Sequence, residues 1–297
     1  MKSIIMRITL FSVFLFLLPS LPGYSATERR TALVIGNSSY STGSLRNPVN
    51  DADDMAATLK RLGFDVILKK NASQQDMEDA IRTLGDRLKK GGVGLFFYAG
   101  HGVQIAGRNY LLPVGTRIDR ETDVKYRAMD ADMVLDEMGN ASNPMNIVIL
   151  DACRDNPFGK SFRTASRGLA IISSAPRGTL VSYSTSPGNI AADGSGRNSP
   201  YTESLIKHMA RPGIQIEDVF KSVRQDLGRM TQGKQIPWEL SSLEGDFYFV
   251  PGGEQVERPP AAMVERPAPT PVPQDHALAR PPVSSVNEIR LISQVSG

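Results

Sequence analysis

"VGLFFYAGHG", residues Val93–Gly102, is a short unbroken apolar run that stops at a histidine set between two glycines. A run of this kind suits a strand buried on both faces, and the glycines mark the turn that ends it. A second run of the same type, "NIVILDAC" (Asn146–Cys153), ends at the only cysteine in 297 residues. "TALVIGN" (Thr31–Asn37), "FDVIL" (Phe64–Leu68) and "GTLVSYSTSPG" (Gly178–Gly188) also read as strands, and "GDFYFV" (Gly245–Val250) as a closing one. "RNYLLPVG" (Arg108–Gly115) looks like a short extended piece.

Helical patterns lie between these runs. "NPVNDADDMAATLKRLGF" (Asn47–Phe64) has Pro48 and Asp51 near its start. Its apolar face is Val49, Met55, Leu59 and Leu62, and Gly63 stops it. Ser73–Lys90 is a second amphipathic stretch, followed by Gly91 and Gly92. "DADMVLDEMGN" (Asp130–Asn140), Tyr201–Met209 and Ile216–Met230 complete the set. Apolar strands alternating with helices imply an α/β fold. Its mostly parallel central sheet should have about six strands, with helices on both faces. Ligands of such sheets bind at the carboxyl ends of strands. Two of those ends, "YAGHG" and "LDAC", carry reactive side chains.

Both termini differ from this core. Residues 1–26 place Lys2 and Arg7 before an apolar run from Ile8 to Leu18, then the small residues Gly23, Ser25 and Ala26. That is the layout of a secretory signal peptide, too short in its apolar part to span a bilayer comfortably; the alternative is an uncleaved membrane anchor. Export, with a periplasmic or secreted mature chain, is the expectation. Residues 251–297 hold nine prolines and no aromatic residue, and "VERPP" (Val256–Pro260) is echoed at Val264–Pro267. Such a tail buries too little apolar surface to offset its ordering entropy, and it could serve as a docking arm for a partner. The domain is therefore expected over residues 27–250. The formal charge of +3 falls to +1 without Lys2 and Arg7. Neither nucleic acid nor, for the mature chain, an anionic membrane is an expected partner.

A lone cysteine is often a small buried hydrophobe. Cys153 instead sits just past an apolar strand and before the polar turn sequence "RDNPFGK". A free thiol is only a few per cent thiolate at neutral pH, so a nucleophilic cysteine needs a base beside it. Of the three histidines, His276 lies in the tail and His208 in a helix, where an exposed or partly packed ring is expected. His101 stands at a strand end like the cysteine, with Gly100 and Gly102 permitting close approach. His101 is the candidate general base and acid for Cys153.

"YAGHG" and "DACRD" together resemble the two catalytic motifs of the caspase-like cysteine peptidases, over roughly Arg30 to Val250. They lie 52 residues apart, counting from 101 to 153, and caspases separate the pair by about 50. "DACRD" matches the caspase pattern Q-A-C-[RQG]-G at Ala152, Cys153 and Arg154 and departs at both ends. The resemblance implies a thioester formed on Cys153 and hydrolysed by water, with the Gly102 and Cys153 backbone N–H groups as oxyanion hole. It implies a polypeptide substrate and no cofactor. Some metacaspases require calcium, but "DADD" and "DRETD" form no recognisable calcium loop.

Caspases have glutamine where this chain has Asp151, and select aspartate through a pair of arginines. The metacaspase and paracaspase branches have aspartate there and select arginine or lysine. Asp51 matches their second pocket acid, and Asp193 is a further candidate for the pocket rim. Two carboxylates facing one pocket repel an acidic side chain, whereas a guanidinium satisfies both. Arg46 lies near a caspase substrate-binding arginine, without a convincing second. The expectation is thus a cysteine endopeptidase cutting after Arg or Lys. Self-cleavage is expected near Lys160, Arg163, Arg167 or Arg177. The alternative is a catalytically idle caspase-like module that binds partners; a transferase or ligase using the same thioester is a third option.

Overall fold

The structure is a computed structural model, and it describes residues 28–152, 168–172 and 174–252. Its centre is a six-stranded sheet in the order β2-β1-β3-β7-β8-β9. The strands are β1 (Arg30–Gly36), β2 (Asp65–Lys70), β3 (Val93–Ala99), β7 (Met145–Asp151), β8 (Thr179–Tyr183) and β9 (Trp238–Ser241). All neighbours run parallel except β8 and β9, which are antiparallel. This is the α/β architecture expected from the alternation of apolar runs.

The period of two along each strand divides the core. Leu33, Ile35, Phe96, Tyr98, Val148 and Leu150 face α2 (Gln74–Leu88) and α4 (Asp132–Ala141). Ala32, Val34, Leu95, Phe97, Ile147 and Ile149 face α1 (Pro48–Arg61), α5 (Pro200–Met209) and α6 (Ile216–Met230). The helices start where local chemistry favours it. Pro48 opens α1, where its missing N–H costs nothing. Ser73 caps α2 by accepting from the Asp76 amide, while Asp76 accepts in return from the Ser73 amide. Ser199 caps α5, accepting from the Thr202 amide at 3.0 Å.

A small antiparallel sheet sits beyond β3. It comprises β4 (Gly102–Ile105), β5 (Arg108–Leu111) and β6 (Met129–Asp130). Ala106 and Gly107 form its hairpin turn with positive φ at both positions, 50° and 81°. Val103, Tyr110, Leu112, Val124 and Ala128 make a separate cluster beneath it.

Three readings of the sequence need correction. "GDFYFV" is not the closing strand. Phe247 and Phe249 are buried against the helices, which gives the segment its alternation, but its backbone makes only isolated bridges to residues 212 and 215. The sixth strand is β9, whose short, polar, edge-lying sequence carries no strand pattern. Helix α3 (Glu121–Arg127) went unread because Val124 is its only buried residue. His208 is not exposed: it is buried, with Nε2 3.0 Å from Asp226 Oδ2, and ties α5 to α6. Residues 1–26, most of the tail and Cys153 lie outside the described residues.

Candidate active site

Three parallel strands end level with one another. In register, Gly36 lies beside Ala99, and Ala99 beside Asp151. The Gly100 amide donates to the Asp151 carbonyl at 3.2 Å. Two residues past Ala99 comes His101, and two past Asp151 comes Cys153. The segments beyond the strands stay in contact: a Cβ built on Gly102 would lie 2.9 Å from the Ala152 carbonyl oxygen and 3.1 Å from its Cβ. The chain after His101 therefore touches the chain before Cys153. Cys153 itself, and with it half of the expected oxyanion hole, is outside the described residues.

His101 is 3 % exposed and held on every side. Its amide donates to the Tyr40 hydroxyl at 3.0 Å. Its carbonyl accepts from the Leu112 amide at 2.9 Å and from the Tyr98 hydroxyl at 2.8 Å. Burial pushes the Tyr98 hydroxyl well above the ordinary tyrosine range, so it stays protonated and donates. The imidazole lies against the Tyr40 ring at 4.6 Å between centroids. Nε2 is 2.6 Å from the Gly43 carbonyl oxygen. A carbonyl only accepts, so Nε2 carries the hydrogen and Nδ1 is the basic nitrogen of the neutral ring. Gly100 admits this packing, since a Cβ there would meet the Tyr40 and Tyr98 hydroxyls at 2.6 Å.

The expected pocket acids converge. Asp51 and Asp151 are both fully buried. Ser199 bridges them: its amide donates to Asp51 Oδ1 at 2.9 Å and its hydroxyl to Asp151 Oδ2 at 2.5 Å. The Thr202 hydroxyl adds a bond to Asp151 Oδ2 at 3.2 Å. Asp51 is thus more than a favourable charge at the start of α1, because it reaches across to α5. Asp193, half-buried, accepts from the Arg46 amide at 2.8 Å, and its own carbonyl accepts from Asn47 Nδ2 at 2.6 Å. The same loop is fastened by Arg197, which grips Asp54 through two bonds of 2.8 and 2.9 Å and holds that carboxyl below its usual range. Arg46, exposed, enters this arrangement through its backbone amide.

Tyr40, Gly43, Ser199 and Thr202 escaped sequence reasoning. "NSPYT" (Asn198–Thr202) carries a Ser-Pro helix-start signal that points to the cap but not to its acidic partners. Nothing local marks Tyr40. Among the described residues, no group of three or more His, Cys, Asp or Glu is arranged to hold a metal ion.

The family described as Caspase domain matches residues 29–248, from β1 through β9. This chain belongs to the caspase-domain family. The caspase domain is a cysteine-peptidase domain acting on polypeptides, and in this chain "YAGHG" and "LDAC" begin at the level ends of β3 and β7. Similar relatives include the human Mucosa-associated lymphoid tissue lymphoma translocation protein 1, 25 % identical over 222 residues, covering 72 % of this chain and 26 % of that protein. Its homolog in Mus musculus is 29 % identical over 136 residues, covering 44 % and 16 %. Caspase-1 of Rattus norvegicus is 24 % identical over 249 residues, covering 76 % and 60 %. The chain therefore spans 26 % and 16 % of the first two relatives and three fifths of the third.

Proposed function

We propose that this caspase-domain chain is an endopeptidase that cuts polypeptides after arginine or lysine, with Cys153 as nucleophile and His101 as base and acid. The observation that carries the proposal is the contact of Gly102 with Ala152, which brings the neighbours of His101 and Cys153 together at adjoining strand ends. Nδ1 of His101 takes the thiol proton; the thiolate attacks the scissile carbonyl, and the imidazolium then protonates the leaving amine. The Gly102 and Cys153 amides hold the oxyanion. Water hydrolyses the thioester, with no metal in the cycle.

The preference for a basic residue rests on Asp51 and Asp151. Two buried carboxylates gathered about Ser199 set a negative potential at the tip of β7, which favours a guanidinium or ammonium and repels a substrate carboxylate. Truncating one partner of such a buried charge pair costs about 2–5 kcal/mol. Asp193 holds the wall of this pocket through the Arg46 amide. Export after removal of residues 1–26 and partner docking through residues 251–297 belong to the same proposal, as does self-cleavage near residues 160–177. Of the four basic residues, Arg177 is exposed and paired with Glu244; the other three lie outside the described residues.

An electrophilic peptide ending in an arginine mimic tests the assignment. Labelling of the wild type that vanishes in Cys153→Ala and His101→Ala is the expected result. No labelling with or without calcium would instead favour a module that only binds partners.

A further inference from the structure

A cleft of about 240 Å³ opens between residues 40–42 and the segment 112–119. That volume is below the roughly 300–1,000 Å³ of whole small-molecule sites and suits a single side chain. Two of its walls also hold His101. Tyr40 packs its ring on His101 and accepts from the His101 amide, and Leu112 donates its amide to the His101 carbonyl. The cleft and the candidate base therefore share a boundary.

Its position relative to the acids is defined by the sheet. Asp151 continues the face of Ile147, Ile149 and Ala99 and bonds to α5. The cleft lies toward β2, where the Val114 amide donates to the Ala72 carbonyl and Asn37 Nδ2 donates to the Leu112 carbonyl. His101 follows β3, which lies between β2 and β7 in the strand order. A general acid must reach the nitrogen of the departing residue, so the part of the substrate that leaves passes on the imidazole side of the cut bond.

We propose that this cleft receives the side chain of a residue just downstream of the cleaved bond and prefers one that is uncharged, apolar or hydroxyl-bearing. The inference rests on the peptidase assignment above. Leu112, Pro113 and Ile118 supply apolar surface, and Thr42 and Thr116 supply hydroxyls. The charged rim is self-neutralised, with Arg117 Nε 2.9 Å from Asp119, so neither an acidic nor a basic side chain finds an uncompensated partner there.

Quenched peptides with a fixed arginine before the bond, and Gly, Leu, Thr, Glu or Lys at the first or second position after it, provide the test. They are run beside an arginyl aminomethylcoumarin substrate that has no downstream residue. Wild type should show kcat/KM about ten-fold higher for Leu or Thr than for Glu or Lys at one of these positions. Thr116→Trp, which fills the cleft, should flatten that preference and slow the peptides relative to the coumarin substrate. Equal rates across the panel in wild type, or equal slowing of both substrate types by Thr116→Trp, would overturn the assignment of the cleft. A wild-type protein inert toward both substrate types would remove the peptidase reading and this one with it, a pattern distinct from indifference to the downstream residue.

Discussion

Ser199 donates its hydroxyl to Asp151 at 2.5 Å, and through its amide the same residue also holds Asp51. One residue thereby joins the tip of β7, the first turn of α1 and the start of α5. Ser199→Ala deletes the bond to Asp151 and the cap on the Thr202 amide. The expected loss is about 1–3 kcal/mol of stability, read from the denaturant midpoint. Cleavage after arginine should weaken mainly through KM, since both acids remain and Asp151 alone loses the Ser199 hydroxyl.

Tyr40 acts through His101 rather than on substrate chemistry, which makes it a positioning residue. Tyr40→Phe keeps the ring that packs on the imidazole but leaves the His101 amide without its hydroxyl acceptor. The expected outcome is a kcat lowered about 10–100-fold, the scale of a small misplacement at a reacting centre. KM for the coumarin substrate should change little, and the fold should survive by circular dichroism.

Gly102 has no room for a side chain. A methyl there would meet the Ala152 carbonyl at 2.9 Å and Leu169 Cδ2 at 3.0 Å, so the backbone beside His101 must move away from the strand that leads to Cys153. Gly102→Ala should cost about 1–3 kcal/mol and abolish most labelling by the arginine-mimic electrophile, whereas Gly245→Ala, where an added methyl meets nothing, should leave labelling intact.

Asp226 joins α5 and α6, bonded to Lys207 at 2.8 Å, Arg229 at 3.0 Å and His208 at 3.0 Å. The Lys207 ammonium, then Arg229 and His208, hold its carboxyl well below the ordinary value of 3.8. A depressed carboxylate contributes stability that is present above its unfolded pKa and lost as pH falls through the lower folded one. Thermal melts should therefore show wild type losing stability below about pH 4. Asp226→Asn should be less stable at pH 7 by about 1.5–3 kcal/mol and should fall less steeply in acid.

The frame of the fold was readable because buried parallel strands write themselves as continuous apolar runs, and "FFYAGHG" and "IVILDAC" announce where those runs end. The acids were readable as residues but not as a unit. Asp51 and Asp151 are far apart in sequence and are joined through Ser199, whose local pattern speaks of a helix start and nothing more. Tyr40 and Gly43 were invisible for a related reason: their roles come from hydroxyl, ring and carbonyl contacts made across the sheet end. β9 was missed and "GDFYFV" mistaken because alternation records which side chains are buried, not whether the backbone pairs.

The stretch from Tyr40 to Arg46 grips the imidazole through Tyr40 and Gly43 and fastens to Asp193 through Arg46. A chain this short has no slack between those two duties. Under the proposed mechanism, lengthening it to admit a different preferred residue would also re-aim the His101 ring, so variation that retunes selectivity while sparing turnover belongs in the facing turn around Gly194–Asn198.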